Sequence, residues 1–276
     1  MSSDNGKELA GKVAIVTGAG RFRGIGRATA VRLAEMGADV VITGTGRDPS
    51  SFPDDEKEMG WRDIESVADQ VREQGQRALP LVVDVSDSEA VEKMVADTIS
   101  EFGRVDILIN NAAFRRGEDR VPVVDLDESL FRRVLDIKVV GSFLCARAVA
   151  RHLLARDAGG GAIVNLSSSA GKRGSANTSA YNAANFAING FTQALAKELA
   201  PHGINVNGVC PGAIDTARMD VLGRGETWEA LEAAIPMRRA GTDEEVADLI
   251  GFLCSDRARY ITGQSINVNG GSVTEL

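Results

Sequence analysis

The sequence predicts an α/β fold built around one doubly wound parallel sheet of seven strands. Short runs rich in Val and Ile recur along the chain, as is typical of strands buried on both faces. Longer amphipathic stretches separate these runs, and this β-α alternation produces parallel sheets. A glycine-rich turn directly follows the first run. The 276 residues contain no internal repeat and no linker, so we expect a single domain over 1–276.

The individual elements follow from these runs in chain order. Strands are predicted at 12–17, 38–43, 78–83, 105–110, 161–167, 204–209 and 265–269. Helices are predicted at 25–36, 61–75, 87–102, 127–156, 179–200 and 242–255. Residues 44–62 and 212–240 are longer connections than this pattern needs, and such connections are usually functional or mobile. The second follows the carboxyl end of a strand, so we expect a loop and short helix over a mostly apolar substrate pocket.

The composition argues against several classes of partner. The chain is 43% apolar and 25% charged, and its 31 basic and 39 acidic side chains give a net charge of -8. This balance argues against nucleic acid or an anionic membrane as partner. The polar start of the chain has no apolar core of a signal peptide. No apolar run approaches roughly 18 residues, so no transmembrane helix is expected. A cytoplasmic protein is predicted.

The cysteines and histidines suggest no metal site. Cys145, Cys210 and Cys254 lie in apolar elements and lack CxxC spacing. Buried thiols in a reducing cytoplasm are therefore expected. His152 and His202 have no partner at ligand spacing, which argues against a zinc site or a Ser-His-Asp triad.

The glycine-rich turn predicts a dinucleotide site. The run VAIVTGAGRFRGIGRATAVRLAEMGADVVIT forms a strand, a turn, a helix and a second strand. Gly18, Gly24 and Gly26, with Ile25 between the last two, carry the turn. Glycine permits positive φ and lets the backbone approach a pyrophosphate at the helix N-terminus. A glycine triplet is a weak signal alone, and a simple tight turn is the alternative. The strand–helix–strand context favours dinucleotide binding.

Nearby arginines bear on the choice of cofactor. The turn is enlarged and displays Arg21 and Arg23. Strand two ends in VVITGTGR, where Gly44 takes the place of an acidic residue that would bind a ribose 2′-hydroxyl, and Arg47 follows. Without that carboxylate a 2′-phosphate meets no repulsion, and arginine offers it bidentate contacts. NADP(H) is therefore favoured and NAD(H) is possible. Solvated loop charges are the alternative for each arginine.

Further motifs cover nearly the whole chain. DVS follows strand three, NNAA follows strand four, PGAIDT follows strand six, and YITGQSINVNGG lies near the C-terminus. With the glycine turn, which carries two extra residues, they resemble the motifs of the short-chain dehydrogenase/reductase (SDR) family, whose domain is a Rossmann fold. The resemblance implies further cofactor contacts from Asp84, Val85, Asn111, Ala112, Pro211, Gly212, Ile214 and Thr216.

The catalytic Ser and Tyr of that family are also matched. Ser168, in AIVNLSSSAG, lies thirteen residues before Tyr181, in SAYNAANFAING, as in the family. The resemblance implies that Ser168 hydrogen-bonds the substrate oxygen and that Tyr181 transfers a proton while hydride moves to or from the nicotinamide. A phenol ordinarily has a pKa of about 10, and a nearby ammonium favours its charged form. The family supplies that ammonium from a Lys four residues after the Tyr, one helical turn away.

The resemblance further implies that the family's catalytic Lys and Asn are exchanged here. Asn185 stands at the lysine position, and Lys138, in VLDIKVVGSF, stands where the family carries Asn. Lys138 lies on the apolar stripe of helix 127–156, and lysine is rarely buried without a partner. We favour a functional exchange that keeps one cation and one amide in the site. The alternatives are a Lys138 stem that reaches the surface, a lapsed site in which Asn185 is an ordinary polar residue, and a sequencing or engineered origin.

The favoured function is an NAD(P)-dependent oxidoreductase that interconverts a secondary alcohol and a ketone on a small molecule. One alternative is a cofactor-binding scaffold or sensor with little turnover. Another is a non-redox dehalogenase or lyase that uses Ser and Tyr, against which the glycine turn and the Pro-Gly motif argue. Helices 127–156 and 179–200 resemble the surfaces through which the family pairs, so a homodimer or homotetramer is expected. The sequence does not identify the substrate.

Overall fold

The strands coincide with the predicted apolar runs. In the computed structural model, which describes residues 7–156 and 159–275, they are β1 (Val13–Val16), β2 (Asp39–Gly44), β3 (Ala78–Val82), β4 (Ile107–Asn110), β5 (Gly161–Leu166), β6 (Ile204–Pro211) and β7 (Ser265–Val268). All neighbours pair in parallel, in the order β3-β2-β1-β4-β5-β6-β7. This confirms the predicted doubly wound sheet. Strand order reverses between β1 and β4, so their carboxyl ends border the crevice where such folds bind ligands.

The six predicted helices are present, one of them in two pieces, and each of the two long connections adds a short helix. They are α1 (Ile25–Glu35), α2 (Asp54–Glu58), α3 (Ile64–Glu73), α4 (Ser88–Phe102), α5 (Glu128–Leu135), α6 (Gly141–Leu154), α7 (Ser179–Leu199), α8 (Glu226–Ala234) and α9 (Asp243–Cys254). The predicted helix 127–156 is divided into α5 and α6 by a π-helical turn, Asp136–Val140. Such turns are rare in proteins, and those that occur often lie at functional sites. This one contains Lys138.

Two apolar layers hold the helices against the sheet. Along β1 the side chains alternate between these layers, since Val16 packs into one and Ile15 into the other. The first layer includes Leu33 of α1, and the second includes Val149 of α6. Each fully buried side chain of this size contributes about 1.5–3 kcal/mol to folding. The sheet is therefore covered on both faces, and its carboxyl edge is left to carry the site.

The two long connections contain short helical pieces. Residues 44–62 include a 3₁₀ turn, Pro49–Ser51, and α2. Residues 212–240 include a 3₁₀ segment, Ala217–Leu222, and α8, which agrees with the predicted loop and short helix. No helix in the described part of the chain is long and apolar enough to span a membrane. Cys145 and Cys210 are buried, Cys254 is partly exposed, and all three thiols are free.

Candidate active site

The glycine turn after β1 is held by the end of β4. Gly18 has φ +66°, and a Cβ atom added there would lie 2.8 Å from the Cα of Ala112. A Cβ at Gly26 would lie 2.6 Å from the Asn111 amide nitrogen. Asn111 Nδ2 donates hydrogen bonds to the carbonyls of Thr17 (2.8 Å) and Gly18 (2.9 Å). Side chains at these glycines would push the turn away from β4, which explains why glycine stands at both positions.

The start of α1 has the features of a phosphate cradle. Gly24 is the N-cap residue of α1 and has no side chain to cap it. Its own N–H donates to Asp243 Oδ2 at 2.9 Å, while the first turn of α1 contains no acidic residue. The first N–H groups of a helix lack partners within that helix and attract an anion. The turn therefore fits a dinucleotide pyrophosphate. Gly18, Gly24, Ile25 and Gly26 would hold it.

The enlarged turn and the connection after β2 pack on one another. Trp61 Nε1 donates to the Gly20 carbonyl at 2.7 Å, and its ring meets Phe22 edge-on with centroids 5.2 Å apart. The Phe22 N–H donates to Glu56 Oε1 at 2.9 Å. The two departures from the usual pattern thus form one unit at the adenosine end of the expected cofactor site. We call this unit the adenosine cap, defined as residues 20–23 and 45–63.

Arg47 is paired within the adenosine cap. Its guanidinium lies 2.8 Å from Glu56 and 2.7 Å from Asp63, and it also donates to the Gly20 carbonyl at 3.0 Å. A Cβ added at Gly44 would lie 3.5 Å from Asp63 Oδ2. Gly44 stands at the end of β2, as the sequence indicates, but Asp63 brings a carboxylate beside it from the start of α3.

Arg23 is also held in ion pairs, whereas Arg21 forms none among the described residues. Arg23 pairs with Asp55 at 2.9 Å and with Asp220 at 2.5 Å, so it links the adenosine cap to the segment after β6. Arg21 forms no ion pair within residues 7–156 and 159–275. Burial and the neighbouring charge of Arg47 lower the pKa of Arg21. The three arginines therefore do not converge as free cations on a ribose phosphate.

Tyr181, on the first turn of α7, is flanked by guanidinium groups. The Arg120 Cζ atom lies 3.9 Å from the centre of the Tyr181 ring, and the Arg218 Cζ atom lies 5.5 Å from it. Arg120 belongs to the connection after β4, and Arg218 belongs to the 3₁₀ segment after β6. Both connections leave the carboxyl edge of the sheet, which is why they meet over the tyrosine.

Lys138 faces the same space as Tyr181. Only 5% of Lys138 is exposed, so its stem does not carry the ammonium to the surface. Lys138, Tyr181, Arg218 and Asp119 line one small cavity of about 10 Å³, which is room for about one water molecule. Burial first, and the charge of Arg218 second, lower the pKa of Lys138 to about 7. No ion pair of Lys138 occurs among the described residues.

Asn185 has one amide atom without a partner. Its Nδ2 donates to the Tyr181 carbonyl at 2.8 Å, one helical turn back. Its Oδ1 is buried and accepts no hydrogen bond within the part of the chain described. A buried acceptor left unpaired costs about 1–3 kcal/mol. The side chain is therefore placed to accept from a water, a ribose hydroxyl or an ammonium.

The two serines that follow β5 are both held by hydrogen bonds, one to the next turn and one to α7. Ser168 is buried, and its Oγ accepts a hydrogen bond from the Ala170 N–H at 3.1 Å. That contact leaves the Ser168 hydroxyl proton free to donate. Ser167 Oγ donates to the Asn185 carbonyl at 3.0 Å and so joins β5 to α7.

The remaining predicted cofactor residues border the carboxyl edge. Asp84 pairs with Arg133 at 2.9 Å. Burial alone would raise the pKa of Asp84, but hydrogen bonds from Ser86 and Arg133 outweigh it and lower this pKa. Val85 follows it and is buried.

The Pro211-Gly212 turn is locked against β7. The Gly212 N–H donates to the Val268 carbonyl at 2.9 Å, and a Cβ at Gly212 would lie 2.8 Å from the Cα of Asn269. Ile214 and Thr216 are buried just beyond this turn. Only a residue without a side chain fits the turn, which explains the glycine of the motif.

The charged residues around Tyr181 were not predicted from the sequence. They are Arg116, Asp119, Arg120 and Arg218. A signal was present, because RRGEDR follows β4 and TAR follows the Pro-Gly turn after β6, both at strand carboxyl ends. The convergence of two separate loops on one tyrosine could not be inferred from spacing.

Comparisons with known proteins agree with this architecture. Residues 18–273 match a family model described as Enoyl-(Acyl carrier protein) reductase. The short chain dehydrogenase/reductase astE of Aspergillus oryzae is 38% identical over 267 residues, which are 95% of each chain. The chain belongs to the SDR family. The cis-4-hydroxycyclohexanecarboxylate dehydrogenase of Sinomonas cyclohexanicum is 39% identical to this SDR over 266 residues, 96% of this chain and 98% of the relative.

A solved structure supports the same assignment. The crystal structure of levodione reductase superposes on this SDR with a TM-score of 0.83 and 32% identity, covering 95% of this chain and 98% of that one. This SDR is therefore an oxidoreductase that acts on CH–OH and ketone groups, and its family uses NAD(P)(H).

Proposed function

We propose that Tyr181 is the general acid/base of this SDR, and that Ser168, Lys138 and Asn185 assist it in interconverting a secondary alcohol and a ketone. One observation carries the proposal. Lys138 is buried in a π-helical turn and lines the same cavity as Tyr181. A buried lysine without an ion-pair partner is costly to a fold unless its charge has a use.

The residues divide the work of proton transfer. In the direction of oxidation, the Tyr181 phenolate takes the hydroxyl proton of the alcohol. The Ser168 hydroxyl donates a hydrogen bond to the same substrate oxygen. The nicotinamide cofactor, when held at the glycine turn, would supply or accept the hydride. In the direction of reduction, the Tyr181 hydroxyl returns its proton to the oxygen. Both directions need a nearby cation, because a phenolate is otherwise disfavoured at neutral pH.

Lys138 takes over the role of the family lysine in this proposal. Its pKa of about 7 leaves a substantial charged fraction at neutral pH, and Arg218 adds a second cation beside Tyr181. Asn185 takes over the amide role, and its Oδ1, which accepts no hydrogen bond from any described residue, supports this assignment. One cation and one amide are thereby kept on opposite helices of the site.

We further propose NAD(H) as the preferred cofactor, which reverses the preference predicted from the sequence. A 2′-phosphate at the adenosine ribose would meet Asp63 beside Gly44. Arg47, the cation expected to bind that phosphate, is already paired with Asp63 and Glu56. A carboxylate at this place accepts hydrogen bonds from ribose hydroxyls and repels a phosphate. Arg21 is the remaining cation that favours NADP(H).

The other predictions stay proposals. The remaining expected cofactor contacts are Asp84, Val85, Asn111, Ala112, Pro211, Gly212, Ile214 and Thr216. Residues 212–240 are proposed to cover the substrate. The exposed Phe143 on α6 and Phe186 on α7 support pairing into a homodimer or homotetramer through these helices. The predicted cytoplasmic location also remains a prediction.

Replacement of Tyr181 by Phe tests the proposed function. The change removes the proton donor and keeps the ring between its guanidinium neighbours. We expect turnover to fall by about 10²-fold or more, the usual range for losing a general acid, with little change in cofactor affinity. Tyr260 is the other tyrosine of the chain and is fully exposed, so Tyr260→Phe is the matched control. Near-normal turnover in Tyr181→Phe would remove Tyr181 from the mechanism. The first panel of alcohols should include 4-hydroxycyclohexanecarboxylate, the compound that gives the Sinomonas relative its name.

A further inference from the structure

We propose that the substrate of this SDR carries a carboxylate, and that Arg116, Arg120 and Arg218 bind it beside Tyr181. This inference rests on the proposed role of Tyr181 and adds a substrate class to it. It comes from the charges that surround the tyrosine.

The three arginines form a single cationic surface, which we call the arginine cluster. Arg120 lies with its Cζ atom 3.9 Å from the Tyr181 ring centre, and Arg218 lies 5.5 Å from it on the cavity shared with Lys138. Arg116 contacts Met219, the residue after Arg218, with Nη1 3.1 Å from its sulfur. The arginine cluster therefore borders the place where the reacting carbon of a substrate must lie.

The arginine cluster holds more positive than negative charge. Asp119 is the carboxylate in its midst, and it lies 3.3 Å from Arg120 Nε. Arg116 and Arg218 form no ion pair within the described ranges 7–156 and 159–275. Arg218 donates instead to the Phe114 carbonyl. With Lys138, four cations face one carboxylate, whereas the whole chain has a net charge of -8.

This arrangement differs from that of the arginines in the adenosine cap. Arg23 contacts three carboxylates and Arg47 contacts two, so they need no ligand to balance their charge. Burial and the mutual repulsion of the cations lower the pKa values of Arg116 and Arg218. Holding desolvated cations together is unfavourable unless an anion joins them. A bound anion would remove that cost.

A carboxylate is the anion that best suits these groups. A guanidinium is planar and presents parallel N–H donors that match the two oxygens of a carboxylate. The ring of Tyr181 holds Arg120 by a cation–π contact and orients its fork. A secondary alcohol or ketone that bears a carboxylate could then place its oxygen at Tyr181 while the acid group contacts the arginine cluster.

Equilibrium binding tests the inference without turnover. Cyclohexanecarboxylate and cyclohexanecarboxamide share a ring and a planar group and differ in charge. In calorimetric titrations, we expect the carboxylate to bind at least about 10-fold more tightly, the range of a charge-assisted contact. Arg116→Gln and Arg120→Gln should each remove most of that ratio. Arg115→Gln is the matched control, because Arg115 is an exposed neighbour that pairs with Glu118, and it should keep the ratio. Equal binding of the two compounds, or no binding of the carboxylate, would overturn the inference.

A turnover assay separates this inference from the proposed function. The substrates are 4-hydroxycyclohexanecarboxylate and its methyl ester. We expect kcat/KM to be at least about 10-fold higher for the acid, and Arg116→Gln to bring the two values together. If both are oxidised equally well, the arginine cluster does not select anions and the proposed function stands. If neither is oxidised but cyclohexanecarboxylate binds through the arginine cluster, the inference stands and the role of Tyr181 is in doubt.

Discussion

Lys138→Met should stabilise the protein while it lowers turnover by about 10²-fold. Methionine keeps the length of the side chain and removes the buried charge. The groups that face Lys138 are Arg218, Tyr181, Asp119 and the Cys210 thiol. None of them is a free carboxylate that compensates the ammonium, since Asp119 lies against Arg120.

The size of the effect follows from the pKa of Lys138. The fall from 10.5 to about 7 corresponds to about 5 kcal/mol, at about 1.4 kcal/mol per pH unit. Between these two values the unfolded chain binds more protons at Lys138 than the folded chain does. The free energy of unfolding of the wild type therefore rises with pH from about 7 to about 10. Below that range Lys138 is charged in both states, so its contribution no longer varies with pH. We expect Lys138→Met to add about 2–4 kcal/mol at pH 7 and progressively less at higher pH.

Urea unfolding followed by tryptophan fluorescence at pH 7, 8 and 9 measures this difference. Subtracting the wild-type free energy of unfolding from that of the variant at each pH isolates the contribution of Lys138 from those of other groups that titrate in this range. Lys93→Met is the control, because the Lys93 side chain is 74% exposed, and it should change stability little at any pH. A Lys138→Met protein that is less stable than the wild type, or a difference that does not vary with pH, would refute the reasoning.

Two further predictions concern the cofactor and the assembly. NADH should bind at least about 10-fold more tightly than NADPH in calorimetric titrations. Asp63→Asn should lower this ratio of affinities, whereas Asp69→Asn, on the exposed face of α3, should leave it unchanged. Tighter binding of NADPH by the wild type would reject the role of Asp63. Phe186→Asp should lower the mass measured by light scattering to that of a smaller assembly, because a charge at an apolar interface is costly, while the exposed Val124→Asp should not. An unchanged mass for Phe186→Asp would place the interface elsewhere.

The sequence was sufficient for the fold because the apolar periodicity is strong. The buried runs at β1 and β4 and the amphipathic stripes of α1 and α7 leave few alternatives for strand and helix placement. The π-helical turn at Lys138 was not predicted, because a one-residue widening of a helix leaves the apolar stripe almost unchanged.

Parts of the site could not be predicted because they depend on contacts between distant loops. Asp63 reaches Gly44 only through the folding of the long connection between them. Arg120 and Arg218 meet at Tyr181 from two different strand ends. Motif spacing places residues along one element, so it identified Ser168 and Tyr181 as candidates but gave no information on these charges.

The central claim is that Lys138 and Asn185 act as one unit with Tyr181. The most direct test is the oxidation rate, measured against pH, of the wild type, Lys138→Asn, Asn185→Lys and the double variant. Lys138→Asn leaves no ammonium at these two positions, and Asn185→Lys places two ammonium groups close together, which disfavours both charges.

We expect each single change to lower turnover by about 10²-fold and the double change to recover most of the loss, so that the effects are strongly non-additive. The pH at half-maximal rate should rise in Lys138→Asn and return towards the wild-type value in the double variant. A double variant that shows the product of the two single losses would contradict the account. So would Asn185→Lys alone if it raised turnover greatly, since the natural arrangement would then be a lapsed site.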